Sequence, residues 1–486
     1  MPIKKDGDLK KYIGGRSCAL LGLGVSNTPL AEYLTNQKIP LSVYDKNDVS
    51  LLGEKAAELH GKGVAFHKFD GEDTHIEGEL IFRSPGIRPD KKPIADAVAN
   101  GAELTSEIEL LLKLTPAKTF AITGSDGKTT STTLTGKFLN EYSKQLGSRT
   151  FVGGNIGTPL LTLRPDMKEN DFTVLELSSF QLMTASDAPE NVAITNISPN
   201  HLDWHTGMDE YVHAKKNIIG NGTRRLVTNG ECKATMDIAR QYAGRKGLQT
   251  VIFSSEKSSF AEIFDGIEAK GNALAIYEAD GYITVDDGNR RERVLKLSDI
   301  MLPGRHNVEN YMTAIGLTYS YVPNEIYSSV ARSFFGVEHR LELVRTLDGV
   351  RYYNSSIDSS PTRTAAALSA LEGERIVLIC GGYDKKIPYA PLAKAICEHG
   401  GVHTVSLTGA TGEKIKAEIE TYARENGLTS TPLLNYNADF ADAVAFARES
   451  AKSGDCVLLS PASASFDCFK NFAQRGEVFK NLVCAE

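Results

Sequence analysis

The chain has 486 residues, 41% of them hydrophobic and 24% charged, with a formal net charge of −7. That length exceeds what one core serves and predicts two to four domains. The acidic balance argues against a nucleic-acid or anionic-membrane partner, and no run approaches the roughly 20 apolar residues of a membrane span. Seven scattered cysteines without a CxxC pair suggest neither a zinc site nor a disulfide framework. The charged N-terminus MPIKKDGDLKK lacks the apolar centre of a signal peptide. A reducing cytoplasm is the expected compartment.

Residues 16–24, RSCALLGLG, predict a short strand ending in a glycine turn, followed by a helix through Pro29–Leu34. A second strand, Leu41–Tyr44, ends in Asp45. This is the outline of a nucleotide-binding βαβ unit with an acid near the ribose position, although Asn27 stands where the third glycine of the fingerprint belongs. A plain α/β turn fits nearly as well. Glu79–Arg83 predicts another strand running into Ser84-Pro85-Gly86, where backbone donors can meet a ligand. Strands alternating with helices predict a small parallel sheet.

After a linker at Thr115-Pro116-Ala117, TFAITGSDGKTTS (119–131) joins an apolar strand to a helix through a glycine turn. Such a turn aims backbone N–H groups and a helix N-terminus at one point, the arrangement that binds phosphate. Lys128 brings a positive charge and Thr129 a hydroxyl for Mg²⁺. The loop GSDGKTT is short, because Thr123 occupies the place of the first glycine of the general motif. Downstream, Gly153–Pro159 is a glycine turn bearing Asn155, and Phe172–Leu182 is a strand carrying a lone carboxylate, Glu176. A buried carboxylate there must be paired or metal-bound. Val192–Ile197 predicts a strand leading into the polar stretch Ser198–His205. Tyr211–Ile219 predicts a helix whose Lys215 and Lys216 read, on residues alone, as solvated surface charges. Residues 250–300 suggest an antiparallel addition. LPGRHNVEN precedes a helix beginning near Tyr311, and Asn307 and Asn310 either hold a base or phosphate or cap that helix. The last third predicts strands at Val350–Asn354, Ile376–Cys380, Thr404–Leu407 and Cys456–Ser460, again doubly wound.

GSDGKTT, GGNIGTPL, LELSSFQL, NHLDWH, LPGRHNVEN, EHRLE and LSPASASFDCFKNFAQRG, in this order over essentially the whole chain, resemble the Mur ligases of peptidoglycan synthesis. LELSSFQL and SPASASFDCFKNFAQRG resemble the branch that adds D-glutamate. The Asp-Asn-Pro-Arg motif of the diaminopimelate- or lysine-adding branches is absent. The resemblance implies an α/β protein of three domains: a Rossmann-like UDP-substrate domain (1–114), a P-loop-type ATPase (115–336) and a Rossmann-like amino-acid domain (337–486). It implies ATP and two Mg²⁺ ions as cofactors, UDP-N-acetylmuramoyl-L-alanine and D-glutamate as substrates, and a monomer.

Carried over by position, the resemblance places ATP on Gly124, Ser125, Asp126, Gly127, Lys128, Thr129, Thr130, Asn307, Asn310 and Arg340. It gives Lys128, His201 and Lys215 catalytic roles and assigns Mg²⁺ to Thr129, Glu176, His201 and Lys215, the last as a carbamate. Ser26, Asp45, Ser84 and Gly86 would line the uridine and diphosphate pocket, and Asn155 would touch the bound nucleotides. Ser359, Lys385, Ser465 and Phe472 would receive D-glutamate. Ser355 stands where the family carries a nucleotide-contacting Asp, and Ile357 where it carries Lys; Asp358 is the expected replacement contact. Two other readings compete. A folylpolyglutamate synthetase-like ligase would lack a first domain of this kind. A nucleotide-binding regulator without hydrolysis would not need Lys128, Glu176, His201 and Lys215 together.

Overall fold

The computed structural model describes residues 9–202, 204–268, 272–302 and 304–485. The charged residues 1–8, Asp203 of NHLDWH and Pro303 of LPGRHNVEN lie outside the described residues. Three sheets follow one another along the chain. The first is wholly parallel: β1 (Cys18–Leu21), β2 (Leu41–Asp45), β3 (Ala65–Lys68), β4 (Leu80–Arg83) and β5 (Glu103–Thr105), in the order β3-β2-β1-β4-β5. Chain direction across the sheet reverses between β1 and β4, which opens a crevice at their carboxyl ends. There the turn at Gly22 approaches Ser84 so closely that an added Cβ would lie 3.1 Å from the Ser84 Cβ.

The second sheet holds β6 (Lys118–Thr123), β7 (Thr150–Gly154), β8 (Phe172–Glu176), β9 (Asn191–Ile194), β10 (Arg225–Asn229), β11 (Gln249–Ser254), β12 (Ala273–Ala279), β13 (Tyr282–Asp286) and β14 (Arg291–Lys296). Its order is β14-β13-β12-β11-β10-β9-β6-β8-β7. The strands up to β12 pair in parallel, whereas β13 and β14 add on antiparallel, as the composition of residues 250–300 suggested. β6 and β8 are buried along nearly their whole length, the pattern of strands covered on both faces. Two helices differ from expectation. The one placed near Tyr311 starts at Arg305, so Asn307 and Asn310 lie inside Arg305–Thr318 and do not cap it. The helix carrying Lys215 is Met208–Lys216.

The third sheet contains β15 (Glu342–Leu347), β16 (Val350–Asn354), β17 (Arg375–Gly381), β18 (Val402–Thr408), β19 (Leu433–Asn437) and β20 (Asp455–Leu459), in the order β15-β16-β20-β17-β18-β19. Only β15 runs antiparallel to its neighbour. The period-2 rule divides β17 cleanly. Ile376, Leu378 and Cys380 join one core, and Val377 and Ile379 join the other.

The chain divides into two compact units, 1–300 with 305–332, and 301–304 with 333–486. Within the first, one hydrophobic cluster runs from Leu20 and Phe82 of the first sheet through Ile108 and Leu111 to Leu175 and Val192 of the second. The linking helix Glu107–Leu114 is capped by Ser106, whose hydroxyl accepts the Glu109 N–H, and carries acids in its first turn, where the dipole favours them.

Glu107 itself is buried and accepts the backbone N–H of Leu161 at 2.7 Å. Burial pushes its carboxyl up to about 7. A carboxyl raised in the folded state makes the fold lose stability as pH rises from the unfolded value toward the folded one. Replacing Glu107 by Gln removes that slope. Between pH 4.5 and 8 the stability of Glu107→Gln relative to wild type should therefore improve by up to about 3 kcal/mol. Chemical denaturation at the two pH values measures the difference.

Candidate active site

β6 lies between β8 and β9, so three neighbouring carboxyl ends deliver the phosphate loop, Glu176 and Thr195–Asn196 to one place. The loop's two glycines are required by both conformation and space. Gly124 has φ +148° and Gly127 +75°; an added Cβ would strike the Thr195 hydroxyl at the first and Asn310 Oδ1 at the second. Asn196 Oδ1 accepts the N–H of Ser125 at 3.1 Å and of Asp126 at 2.8 Å. Thr195 Oγ1 donates to Asp126 O at 2.6 Å. The Ser125 hydroxyl donates to Ser198 O and lies 2.9 Å from the Tyr211 hydroxyl.

Gly127 is the N-cap of the long helix Lys128–Leu146, which presents its first N–H groups without intrahelical partners. Lys128 Nζ folds back onto Ser125 O at 2.9 Å, and Thr129 is half-buried beside it. Thr130 is buried in the first turn. Asn310 Oδ1 accepts from the Ser131 hydroxyl and Asn310 Nδ2 donates to Asn307 Oδ1, which ties the helix Arg305–Thr318 to this one. A cavity of about 150 Å³ opens here, lined by Asp126, Asn196, Phe253, His306, Glu309 and Asn310 among others.

Lys215 is not a surface charge. It is 2% exposed, and its Nζ donates to Gly124 O at 2.6 Å and lies 4.6 Å from the centre of the Tyr211 ring. The surface reading failed because the helix has lysines side by side, and only tertiary packing decides which turns inward. Burial, reinforced by the positive charge of Lys128, lowers its pKa to about 7, which favours the uncharged amine relative to an exposed lysine. Glu176 is also buried. Its Oε1 accepts from Asn155 Nδ2 at 2.8 Å, and its Oε2 has no hydrogen-bond partner among the described residues. An orphaned buried carboxylate oxygen is costly, and a cation would satisfy it. The donor set therefore fits Mg²⁺. His201 is exposed, held at φ +54°, with its ring 4.9 Å from that of Phe180.

In the first-sheet crevice, Asp45 Oδ2 accepts the Leu23 N–H and Oδ1 the Asn47 N–H, so this carboxylate shapes the glycine turn. Asn27, in the third-glycine position, donates to Gly22 O at 2.9 Å and to Leu21 O at 3.3 Å, tying the turn to its helix. Ser26 and Ser84 are half-buried, and Gly86 is exposed. Sequence reasoning missed Arg83, Arg88, Asn196 and Tyr211. Only the clustering of polar groups after strand ends pointed toward any of them.

In the second unit, Asp358 is buried. Its Oδ2 accepts from the Ser460 hydroxyl at 2.8 Å, and burial raises its carboxyl pKa against the pull of Ser355, Ser460, Arg340 and Arg363. Ser355 lends its hydroxyl to the Leu341 N–H and is 1% exposed. Ser465 is buried, Ser359 and Arg340 are half-buried, and Lys385 and Phe472 are exposed. The Phe472 carbonyl accepts from the Ser356 hydroxyl. Arg475, 2% exposed, donates to Ser356 O, Ser463 O and Ala464 O, which fixes the loops that carry Asp358 and Ser465.

Residues 122–318 match the Mur ligase middle domain, and residues 339–463 match the Mur ligase glutamate ligase domain. The chain belongs to the Mur ligase family. Within it, the UDP-N-acetylmuramoylalanine–D-glutamate ligase of Ruminiclostridium cellulolyticum is 43% identical over 477 residues, 98% of this chain and 97% of that one. The protein of the same name from Acetivibrio thermocellus is 41% identical over 479 residues, 98% of each. Among solved structures, the UDP-N-acetylmuramate–alanine ligase of Thermotoga maritima superposes with a TM-score of 0.55 at 18% identity, covering 96% of this chain and 98% of that one, and so shares the fold.

Gly127→Ala places a Cβ at a left-handed φ and against Asn310. It should cost about 1–3 kcal/mol in unfolding free energy and weaken binding of an ATP analogue at least tenfold. Denaturation and calorimetric titration of the variant check the two effects.

Proposed function

We propose that this chain is an ATP-dependent ligase that joins D-glutamate to UDP-N-acetylmuramoyl-L-alanine in the synthesis of peptidoglycan precursors. One observation carries the reading. A phosphate loop, an orphaned carboxylate oxygen on Glu176 beside the carboxyl end of β6 and a buried amine at Lys215 bonded to Gly124 O gather at one set of strand ends, within a chain similar over nearly its whole length to ligases named for that reaction.

Residues 1–114 then serve as the UDP-substrate domain, with Ser26, Asp45, Ser84 and Gly86 at the crevice. Residues 115–336 form the ATPase, and residues 337–486 bring the amino acid. The substrate's L-alanyl carboxylate attacks the γ-phosphorus of ATP, and the bond from that phosphorus to ADP breaks. The amine of D-glutamate then attacks the acyl carbon, the bond to phosphate breaks and the surplus proton of the amine leaves. Amide formation in water is uphill, which explains the coupling to ATP. The loop N–H groups and Lys128 hold and neutralise phosphate oxygens, so catalysis is chiefly positioning and charge stabilisation. Mg²⁺, held by Thr129, Glu176, His201 and a carbamate on Lys215, supplies further charge neutralisation when bound; we assign two ions. The depressed pKa of Lys215 favours the carbamate, because only the neutral amine adds CO₂. Asn155, Asn307, Asn310, Arg340 and Asp358 contact nucleotide, and Ser359, Lys385, Ser465 and Phe472 receive D-glutamate. We place the enzyme in the cytoplasm as a monomer.

The test is phosphate release and product mass with ATP, Mg²⁺ and UDP-N-acetylmuramoyl-L-alanine, offering D-glutamate, L-glutamate, glycine or diaminopimelate. A D-glutamyl product alone is expected. Phosphate release without it would sink the amino-acid assignment and put Lys385 and Ser465 in question. Lys128→Ala should lose at least 10³-fold in kcat while remaining folded. Lys215→Ala should be inactive and recover partly with added short carboxylic acids; full activity without them would show that no carbamate is needed.

A further inference from the structure

The loop after β4 and the helix that carries Lys215 belong to different sheets of the first unit, yet one side chain bridges them. Arg88 donates through NH1 to the Trp204 carbonyl at 2.6 Å and grips both oxygens of Glu210, at 2.9 and 3.2 Å. Its remaining donors, Nε and NH2, hold Asp90 at 2.8–3.2 Å on its own loop. The guanidinium also lies 5.0 Å from the centre of the Trp204 ring, and Trp204 Nε1 donates back to Gly86 O at 3.3 Å. All five donor positions of the fork are thus set against three groups, a geometry lysine cannot copy.

Glu210 is the hub on the other side. Its Oε2 accepts the Thr206 N–H at 2.9 Å and faces His205 Nδ1 at 3.1 Å, while His205 Nε2 meets the Ser179 hydroxyl at 2.9 Å. It sits in the first turn of Met208–Lys216. One residue on, Tyr211 touches the Ser125 hydroxyl; one turn further, Lys215 reaches Gly124 O. A second tie runs parallel. Buried Arg83 donates to Pro85 O and Ile87 O on the loop side and to Phe180 O and the Thr184 hydroxyl on the other.

We infer that Arg88 is a positioning residue: through Glu210 it makes the placement of Tyr211 and Lys215 at the phosphate loop depend on the conformation of the Ser84–Gly86 loop, so that the nucleotide-sugar substrate and ATP tighten one another. This rests on the proposed function for the identity of the two ligands. The energetic logic is reciprocal coupling. Whatever orders the 84–88 loop holds Glu210 in the geometry that presents Tyr211 and Lys215 at Ser125 and Gly124, and ATP bound at that phosphate loop favours the same geometry in return.

The test is calorimetric titration of the full chain with UDP-N-acetylmuramoyl-L-alanine and with Mg²⁺ plus a non-hydrolysable ATP analogue, each alone and in the presence of the other. Wild type should show mutual tightening of at least about fivefold. In Arg88→Ala that factor should fall to about one and kcat at least tenfold, while the affinity for each ligand alone stays within about threefold. Arg88→Lys, which keeps the charge and loses the fork, should recover only part of the coupling. Glu210→Gln should reproduce the loss, and the double variant should add nothing further. A bridge that merely held two pieces together would lower the melting temperature and leave the coupling factor untouched; a wild-type coupling factor in folded Arg88→Ala overturns the inference. If wild type makes the D-glutamyl product but shows no mutual tightening, the inference falls and the functional reading stands. If wild type makes no such product, the functional reading falls first.

Discussion

The interior amine of Lys215 and the carbonyl of Gly124 form the contact on which the site depends. A lysine so deeply buried is tolerable only if it sheds its charge or finds a partner, and here it does some of each. The donor bond holds the start of the phosphate loop, and the depressed pKa favours the neutral amine. Lys128, which also folds onto the loop, helps drive that depression. The loop is thus built around two amines that repel one another.

Each unit of the fold uses buried arginines bonded to carbonyls. Arg83 spans the 84–87 loop and Phe180, Arg225 closes the end of the helix Arg305–Thr318 through Leu317 O and Tyr319 O, and Arg475 joins three segments of the third-sheet unit. Burial lowers the pKa of each, for Arg475 to about 10. None titrates near neutrality, so these are permanent donors that satisfy loop carbonyls no helix or strand could satisfy. Loops braced in this way hold their shape at strand ends, where the site residues stand.

The phosphate loop was legible because its chemistry is local: an apolar strand, two glycines, a lysine and a threonine lie within a dozen residues. Glu176 was legible for a related reason, since a carboxylate at the end of a buried strand must have a purpose. The alternation of strands and helices, and the antiparallel character of residues 250–300, followed from pattern alone. What was hidden depends on tertiary packing. Lys215 and Lys216 are indistinguishable in sequence, and only the contact with Gly124 of the phosphate loop selects one. Asp45 sits at the spacing of a ribose acid, yet its oxygens serve the Leu23 and Asn47 amides. Asn27 looked like a missing glycine and instead supplies hydrogen bonds that a glycine could not. Strands such as Glu103–Thr105 and Leu433–Asn437 are short or half-exposed and left no periodic signal.

The bond between Ser131 and Asn310 spans 179 residues of sequence, and Asn310 is also the group packed against Gly127. The cavity beside Gly127 is therefore assembled from segments far apart in sequence. During synthesis the phosphate loop leaves the ribosome long before the helix that closes over it, and parallel strands pair only through long crossovers. Until residue 310 has emerged, the nascent chain carries the loop's sequence without the Asn310 contact that packs against it. On the proposed assignment of nucleotide to this loop, a chain truncated before the helix Arg305–Thr318 would keep the motif but lose the Asn310 side of the cavity.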